Sequence, residues 1–157
     1  MPEVVLDQAV PDFAITATGG QTIRLSELQG RYVVLYFYPK DNTPGCTTEA
    51  QDFRDHHALF EALDAVILGV SRDDLKSHEN FSRQQQLPFP LLADTDEALC
   101  QLFQVIKPKN MYGKQVMGIE RSTFLIDRQG ILRREWRKVK VPGHIAEVLQ
   151  ALRELAA

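Results

Sequence analysis

The residues best suited to chemistry lie in one stretch, Pro39-Lys40-Asp41-Asn42-Thr43-Pro44-Gly45-Cys46-Thr47-Thr48-Glu49, between an apolar run ending at Tyr38 and a helical pattern starting near Cys46. It carries a cysteine from the end of a buried strand to the first turn of a helix. Unpaired backbone N–H groups and the positive end of the helix dipole favour a thiolate there, and the thiolate is the nucleophilic form of cysteine. Ligands of open α/β sheets also bind beyond the C-terminal ends of the strands. Thr43, three residues before Cys46, can turn its hydroxyl into the same pocket. Pro39 has no N–H and a restricted φ, which suits it to shaping the loop and screening the sulfur from water. Taken singly, each residue has a plainer reading: a cysteine at a helix start is more often structural than catalytic, Thr43 suits a turn beside Pro44-Gly45, and a proline commonly ends a strand.

The elements around this stretch follow from hydrophobic periodicity. Tyr32 to Tyr38 is apolar on both alternating faces, as in a central strand covered on both sides of its sheet. Ala50, Phe53 and Phe60 recur at helical spacing and predict one helix from about Cys46 to Leu63, with His57 packed on the same stripe. Ala65 to Val70 reads as a second buried strand, Leu75 to Gln86 as a polar helix, and Pro90 to Ala93 as a short strand. Asp94-Thr95-Asp96-Glu97 starts a helix carrying Leu99, Leu102 and Phe103. Residues 107–120 read as a loop. Ser122 to Asp127 and Ile131 to Trp136 form a hairpin across Asp127-Arg128-Gln129-Gly130, and Ile145 to Ala156 forms an amphipathic helix. Phe13 to Ala17 and Gln21 to Leu25, around Thr18-Gly19-Gly20, make an N-terminal β-hairpin, followed by a brief helix from Ser26. Strand, helix and strand followed by a hairpin and a terminal helix predict an α/β, thioredoxin-like fold: a central mixed β-sheet flanked by helices, with the N-terminal hairpin appended.

The 157 residues, 44% hydrophobic and 25% charged, predict one domain over 1–157 with a sizeable core. A net charge of −3 gives no sign of the strongly basic surface that recruits nucleic acid or an anionic membrane. The acidic start has no secretory pattern and no apolar run approaches membrane-spanning length. Two cysteines, Cys46 and Cys100, are too few for a disulfide framework and too far apart for a Cys-x-x-Cys motif, so a reducing cytoplasm is expected. His56, His78 and His144 have no partners at metal-ligand spacing, and no metal or cofactor is expected. Lys138 and Lys140 read as solvated.

The pattern Pro-x-x-x-Thr-x-x-Cys, met by Pro39, Thr43 and Cys46, resembles the active-site signature of the peroxiredoxins. The run Tyr-Phe-Tyr-Pro-Lys-Asp-Asn-Thr-Pro-Gly-Cys-Thr is similar to the bacterioferritin comigratory protein or peroxiredoxin Q branch. So are Gly118 to Asp127 and Trp136 to His144, and the resemblance spans nearly the whole chain. It implies that Cys46 is the peroxidatic nucleophile for hydrogen peroxide or an organic hydroperoxide, with Thr43 orienting the substrate. It further implies that Arg121, just before the hairpin strand, favours the thiolate and binds the peroxide. The plainer reading of Arg121 is a surface partner for an acid such as Glu120.

The chain departs from that family in its second thiol. The resolving cysteine of this branch often lies five residues after the first, where Gln51 stands, or on the following helix at an offset that aligns with Ser82; neither is a cysteine. Cys100 sits in an apolar helix and reads as a packing residue, with resolution of Cys46 after local unfolding as the rival reading. A one-cysteine cycle is therefore expected, with an external thiol such as thioredoxin or glutaredoxin, and the resemblance implies a monomer. A peroxide sensor or holdase using the same oxidisable Cys46 is the alternative function. A disulfide oxidoreductase lacks its second thiol, and a hydrolase pairing Cys46 with His144 would need an imidazole beside the sulfur.

Overall fold

Tyr32–Phe37 (β3) is buried along its whole length, and it organises everything around it. The structure is a computed structural model that describes residues 4–157. Strands β1 (Ala14–Ala17) and β2 (Gln21–Arg24) form the N-terminal hairpin, followed by a 3-10 turn at Leu25–Leu28. After β3 come α1 (Pro44–Asp55), α2 (His57–Ala62), β4 (Ala65–Ser71), α3 (Leu75–Gln85), β5 (Leu91–Ala93) and α4 (Ala98–Leu102). The rest comprises β6 (Ile106–Met111), β7 (Lys114–Ile119), β8 (Ser122–Ile126), β9 (Leu132–Trp136) and α5 (His144–Ala156).

Seven strands make one mixed sheet in the order β2-β1-β5-β4-β3-β8-β9. β3 runs parallel to β4, with Leu35 opposite Leu68, and β4 runs parallel to β5; β8 pairs antiparallel with the other edge of β3, setting Leu35 opposite Phe124. Alternation along β3 sends Val34, Tyr36 and Tyr38 to one face, where they pack with Phe53, Phe60, Phe81 and α5. Val33, Leu35 and Phe37 go to the other face, against Leu99, Cys100, Phe103 and Phe124. This two-sided burial is why β3 carries no polar alternation.

Two expectations are corrected. The helix foreseen from Cys46 to Leu63 begins two residues earlier and is broken at His56, which has φ −104° and ψ 3°. The His56 ring places Nδ1 2.8 Å from the carbonyl of Asp52 and occupies a group of the last turn of α1. The apolar stripe continues across the break because Phe53 and Phe60 pack on the same core, 5.9 Å apart between ring centroids, so periodicity alone could not reveal it. Residues 107–120 are not a loop but the ribbon β6–β7, turning through Tyr112 and Gly113, both at positive φ (52° and 77°). Two left-handed residues in succession make the tight hairpin turn matched to strand twist. The ribbon escaped detection because residues 110–117 are exposed and bear no alternating apolar pattern.

Candidate functional site

Thr43 is the N-cap of α1 and Pro44 its first residue, a position where a missing N–H costs nothing. The open backbone donors of the first turn are then those of Gly45 and Cys46, since the Thr47 N–H already bonds the Thr43 carbonyl at 2.9 Å. The Thr43 hydroxyl does not cap the helix. It donates to the carbonyl of Lys40 at 2.7 Å, closing the loop on itself. With its proton so committed, the Thr43 oxygen can offer only lone pairs to a substrate. Pro39 is half-buried where β3 ends.

Cys46 is buried, 2% exposed. Arg121, placed by the first residue of β8, crosses from the opposite edge of β3 and donates from Nη2 to the Cys46 sulfur at 3.3 Å. A Cβ at Gly45 would sit 3.2 Å from that Nη2, so the glycine leaves room for the guanidinium. The other arm of the fork, Nη1, donates to Glu49 Oε1 at 2.6 Å. Arg121 thus bridges the thiol to a carboxylate one turn further along the same helix face. Proximity along the chain suggests Glu120 as the plain partner of Arg121; the partner is Glu49, on the buried face of α1.

No sequence signal marks Glu49 as a site residue. Burial raises its pKa to about 7, opposed by the Arg121 charge and hydrogen bond. The short ion pair pulls the other way, but desolvation outweighs it because Glu49 Oε2 has no hydrogen-bond partner among the described residues. A carboxyl whose pKa is raised on folding keeps a proton that the unfolded chain gives up, so folding loses stability as pH rises from about 4.5 to about 7. Glu49→Gln removes that dependence. Denaturant unfolding between pH 5 and 7 should show wild type falling relative to the variant, by at most about 1.4 kcal/mol per pH unit. Parallel curves would mean that Glu49 does not titrate in this window.

The loop is anchored from below by a second buried network. Asp41 Oδ1 accepts from the Tyr38 hydroxyl at 2.6 Å, and Oδ2 accepts from Ser77 Oγ and lies against His78 Nδ1, each at 2.8 Å. His78 Nε2 faces the Leu92 carbonyl at 2.9 Å, so it carries a hydrogen, and Nδ1 and Asp41 hold a proton between them. The Asp41 N–H donates to Asp73 Oδ2, which also accepts from Ser71. These residues and Asp73 cluster closely, but their polar atoms are committed to one another. His78 is therefore structural, tying the active loop to α3. Replacing it by Leu leaves a buried carboxylate short of a partner and should cost about 3–5 kcal/mol in denaturant unfolding; a loss below about 1 kcal/mol would show that the couple contributes little.

Other sequence candidates fall elsewhere. Cys100 packs on the sheet face opposite Cys46. Its backbone N–H donates to Asp94 Oδ2 at 2.7 Å, and burial, then the hydrogen bond to Asp94, push its thiol up. His144 is buried with Nε2 2.7 Å from Thr123 Oγ1, and desolvation, then Arg121, lower its pKa to about 4. The group on the sulfur is a guanidinium, not an imidazole. Ser82 lies half-buried on α3, and Gln51 Nε2 bonds Gln85 Oε1 at 2.9 Å.

Residues 6–135 match the model of the AhpC/TSA family. Peroxiredoxin Bcp of Bacillus subtilis is 53% identical over 153 residues, covering 98% of each chain. Peroxiredoxin Bcp of Xanthomonas campestris is 53% identical over 155 residues, covering 98% of this chain and 97% of its own. A solved structure of Xanthomonas campestris peroxiredoxin Q superposes with a TM-score of 0.89 at 54% identity, over 92% of each chain. Another, of Xanthomonas campestris bacterioferritin comigratory protein, described for its alkyl peroxide reduction activity with trapped intermediate and ligand complexes, gives 0.88 at 54%, also over 92% of each.

Proposed function

This chain belongs to the AhpC/TSA family, in its Bcp and peroxiredoxin Q branch, and from that premise we propose a one-cysteine thiol peroxidase in which Cys46 is the nucleophile and Arg121, Thr43 and Pro39 complete the pocket. The observation that carries this reading is the Arg121 fork, which holds the Cys46 sulfur at 3.3 Å at the first turn of a helix. The sulfur attacks one oxygen of a hydroperoxide, an S–O bond forms as the O–O bond breaks, and the departing oxygen leaves as alcohol or water once protonated. Arg121 and the open N–H groups of Gly45 and Cys46 stabilise charge on the oxygens, Thr43 accepts from the peroxide, and Pro39 shields the pocket.

Cys46 is left as a sulfenic acid. The other cysteine lies across the sheet, which supports resolution by an external thiol: it attacks the sulfenic sulfur and expels water, and a further thiol releases Cys46 from the mixed disulfide. Thioredoxin or glutaredoxin fits this role, in a monomeric protein of the cytoplasm. No helix of the described residues is long and apolar enough to cross a membrane.

The test is repeated turnover of hydrogen peroxide with dithiothreitol, with mass spectrometry after one equivalent of peroxide. Many turnovers, with sulfenic acid on Cys46 and Cys100 free, support the reading. A Cys46–Cys100 disulfide would overturn the one-cysteine cycle, and a single turnover would indicate a sensor.

A further inference from the structure

The ribbon β6–β7 leaves the sheet just before Arg121, and its register sets Lys107 opposite Gly118 and Lys109 opposite Val116. Cross-strand partners share a face, so these four side-chain positions lie on one side of the ribbon. The Lys109 stem does not project away from that side. It lies across Gly118: a Cβ built there would meet Lys109 Cδ at 2.9 Å and Cε at 3.2 Å. Gly118 is buried beneath the stem, and its missing side chain is what makes room. The stem therefore runs from the level of Val116 towards the base of the ribbon, where Arg121 follows three residues after Gly118. The charged groups acting on its ammonium are Arg121, Cys46, Arg72 and Glu120.

Both neighbouring arginines already have a carboxylate. Arg121 is paired with Glu49 at 2.6 Å and Arg72 with Glu97 at 2.8 Å, whereas Lys109 makes no salt bridge among the described residues. Desolvation, then the repulsion of Arg121, also lower its pKa. The peroxidase chemistry proposed above leaves one demand unmet. A departing alkoxide or hydroxide needs a proton, Arg121 holds its protons permanently, and the Thr43 proton is engaged by Lys40.

On the peroxidase reading, we propose that Lys109 is a further catalytic residue, whose ammonium hydrogen-bonds the leaving oxygen and protonates it as the O–O bond breaks. The sulfur lone pair becomes the S–O bond, the O–O electron pair stays on the departing oxygen, and that oxygen takes a proton from Nζ. The neutral amine recovers a proton from water, and the sulfenic acid keeps the hydrogen of the attacked oxygen.

The test uses the full chain with Lys109→Gln and Lys109→Arg, comparing Cys46 oxidation by hydrogen peroxide, tert-butyl hydroperoxide and peracetic acid. Acetate leaves without needing a proton. With each rate taken per thiolate, Lys109→Gln should slow the first two by about 10²-fold or more and peracetic acid by less than about threefold. Lys109→Arg, which keeps the charge without a transferable proton, should remain slow with hydrogen peroxide. An equal fall for all three peroxides, no fall, or full rescue by Arg would overturn the proposal while leaving the peroxidase reading intact. Failure of the wild-type protein to react with any of the three would instead remove that reading.

Discussion

Cys46→Ser is expected to reduce peroxide consumption to the level of the buffer, a fall of at least about 10⁴-fold, the scale associated with removing an enzyme's nucleophile. A serine hydroxyl at neutral pH is a weak nucleophile without an adjacent base to activate it. The neighbour here is a guanidinium that donates and cannot accept a proton, so Arg121 favours an anion on sulfur but cannot make one from serine. Cys100 offers no substitute. It is fully buried on the opposite side of the sheet, its thiol is pushed up by that burial, and the carboxylate beside it opposes a second negative charge. Cys100→Ser should accordingly leave the rate of Cys46 oxidation within about twofold, since the site shares no contact with it. Stopped-flow kinetics with hydrogen peroxide measure both variants. Retained activity in Cys46→Ser, lost on adding Cys100→Ser, would move the nucleophile to Cys100.

Arg121→Met should slow Cys46 oxidation by about 10²–10³-fold, the range for deleting a charge-stabilising donor from a reacting oxygen. It removes the donor on the sulfur and a fork able to reach the peroxide. It also leaves the wholly buried Glu49 carboxyl without the one hydrogen-bond partner it has among the described residues, so stability falls as well, by about 3–5 kcal/mol if the carboxylate stays charged and by less if it takes a proton. These two losses separate in a double-mutant cycle. Arg121→Met with Glu49→Gln should recover part of the stability and none of the rate, because only the guanidinium faces the sulfur. Arg121→Lys should recover little of either: an ammonium cannot span the sulfur and Glu49 in one planar fork. If Arg121→Met oxidises within about threefold of wild type, the guanidinium is not part of the chemistry, and the bridge to Glu49 is structural.

The buried strand, the cysteine loop, the hairpin across Asp127 to Gly130 and the terminal helix are all legible in the amino-acid sequence. Their signals are local: two-sided apolarity in β3, glycine and aspartate at a turn, and a 3.6-residue stripe in α5. The break at His56 is hidden because both helices bury one continuous stripe. The ribbon β6–β7 is hidden because it stands in solvent and carries no burial pattern, its one clue being Tyr112-Gly113 at the turn. Within the site, Cys46, Thr43 and Pro39 can be named because they are neighbours in one motif. Glu49 belongs to the same stretch but gives no signal of its own, since an acidic residue in the second turn of a helix is ordinarily solvated.

By its own composition and order, the sequence determined that one cysteine would stand beyond the end of a buried strand on the first turn of a helix, with no second thiol near it along the chain. The resemblance implied Arg121 beside that sulfur, and only the tertiary structure supplied Glu49 as the residue that holds Arg121 there. Arg121 meets Glu49 across 72 residues and Cys46 across 75, and His78 meets Asp41 across 37. Such pairs are set by the register of β8 against β3 and by the packing of α1 and α3 on one face, which no window of hydrophobic periodicity spans. The separation of Cys46 from Cys100 is of the same kind: alternation along β3 assigns its own residues to two faces, but only the packed fold shows which face each helix covers.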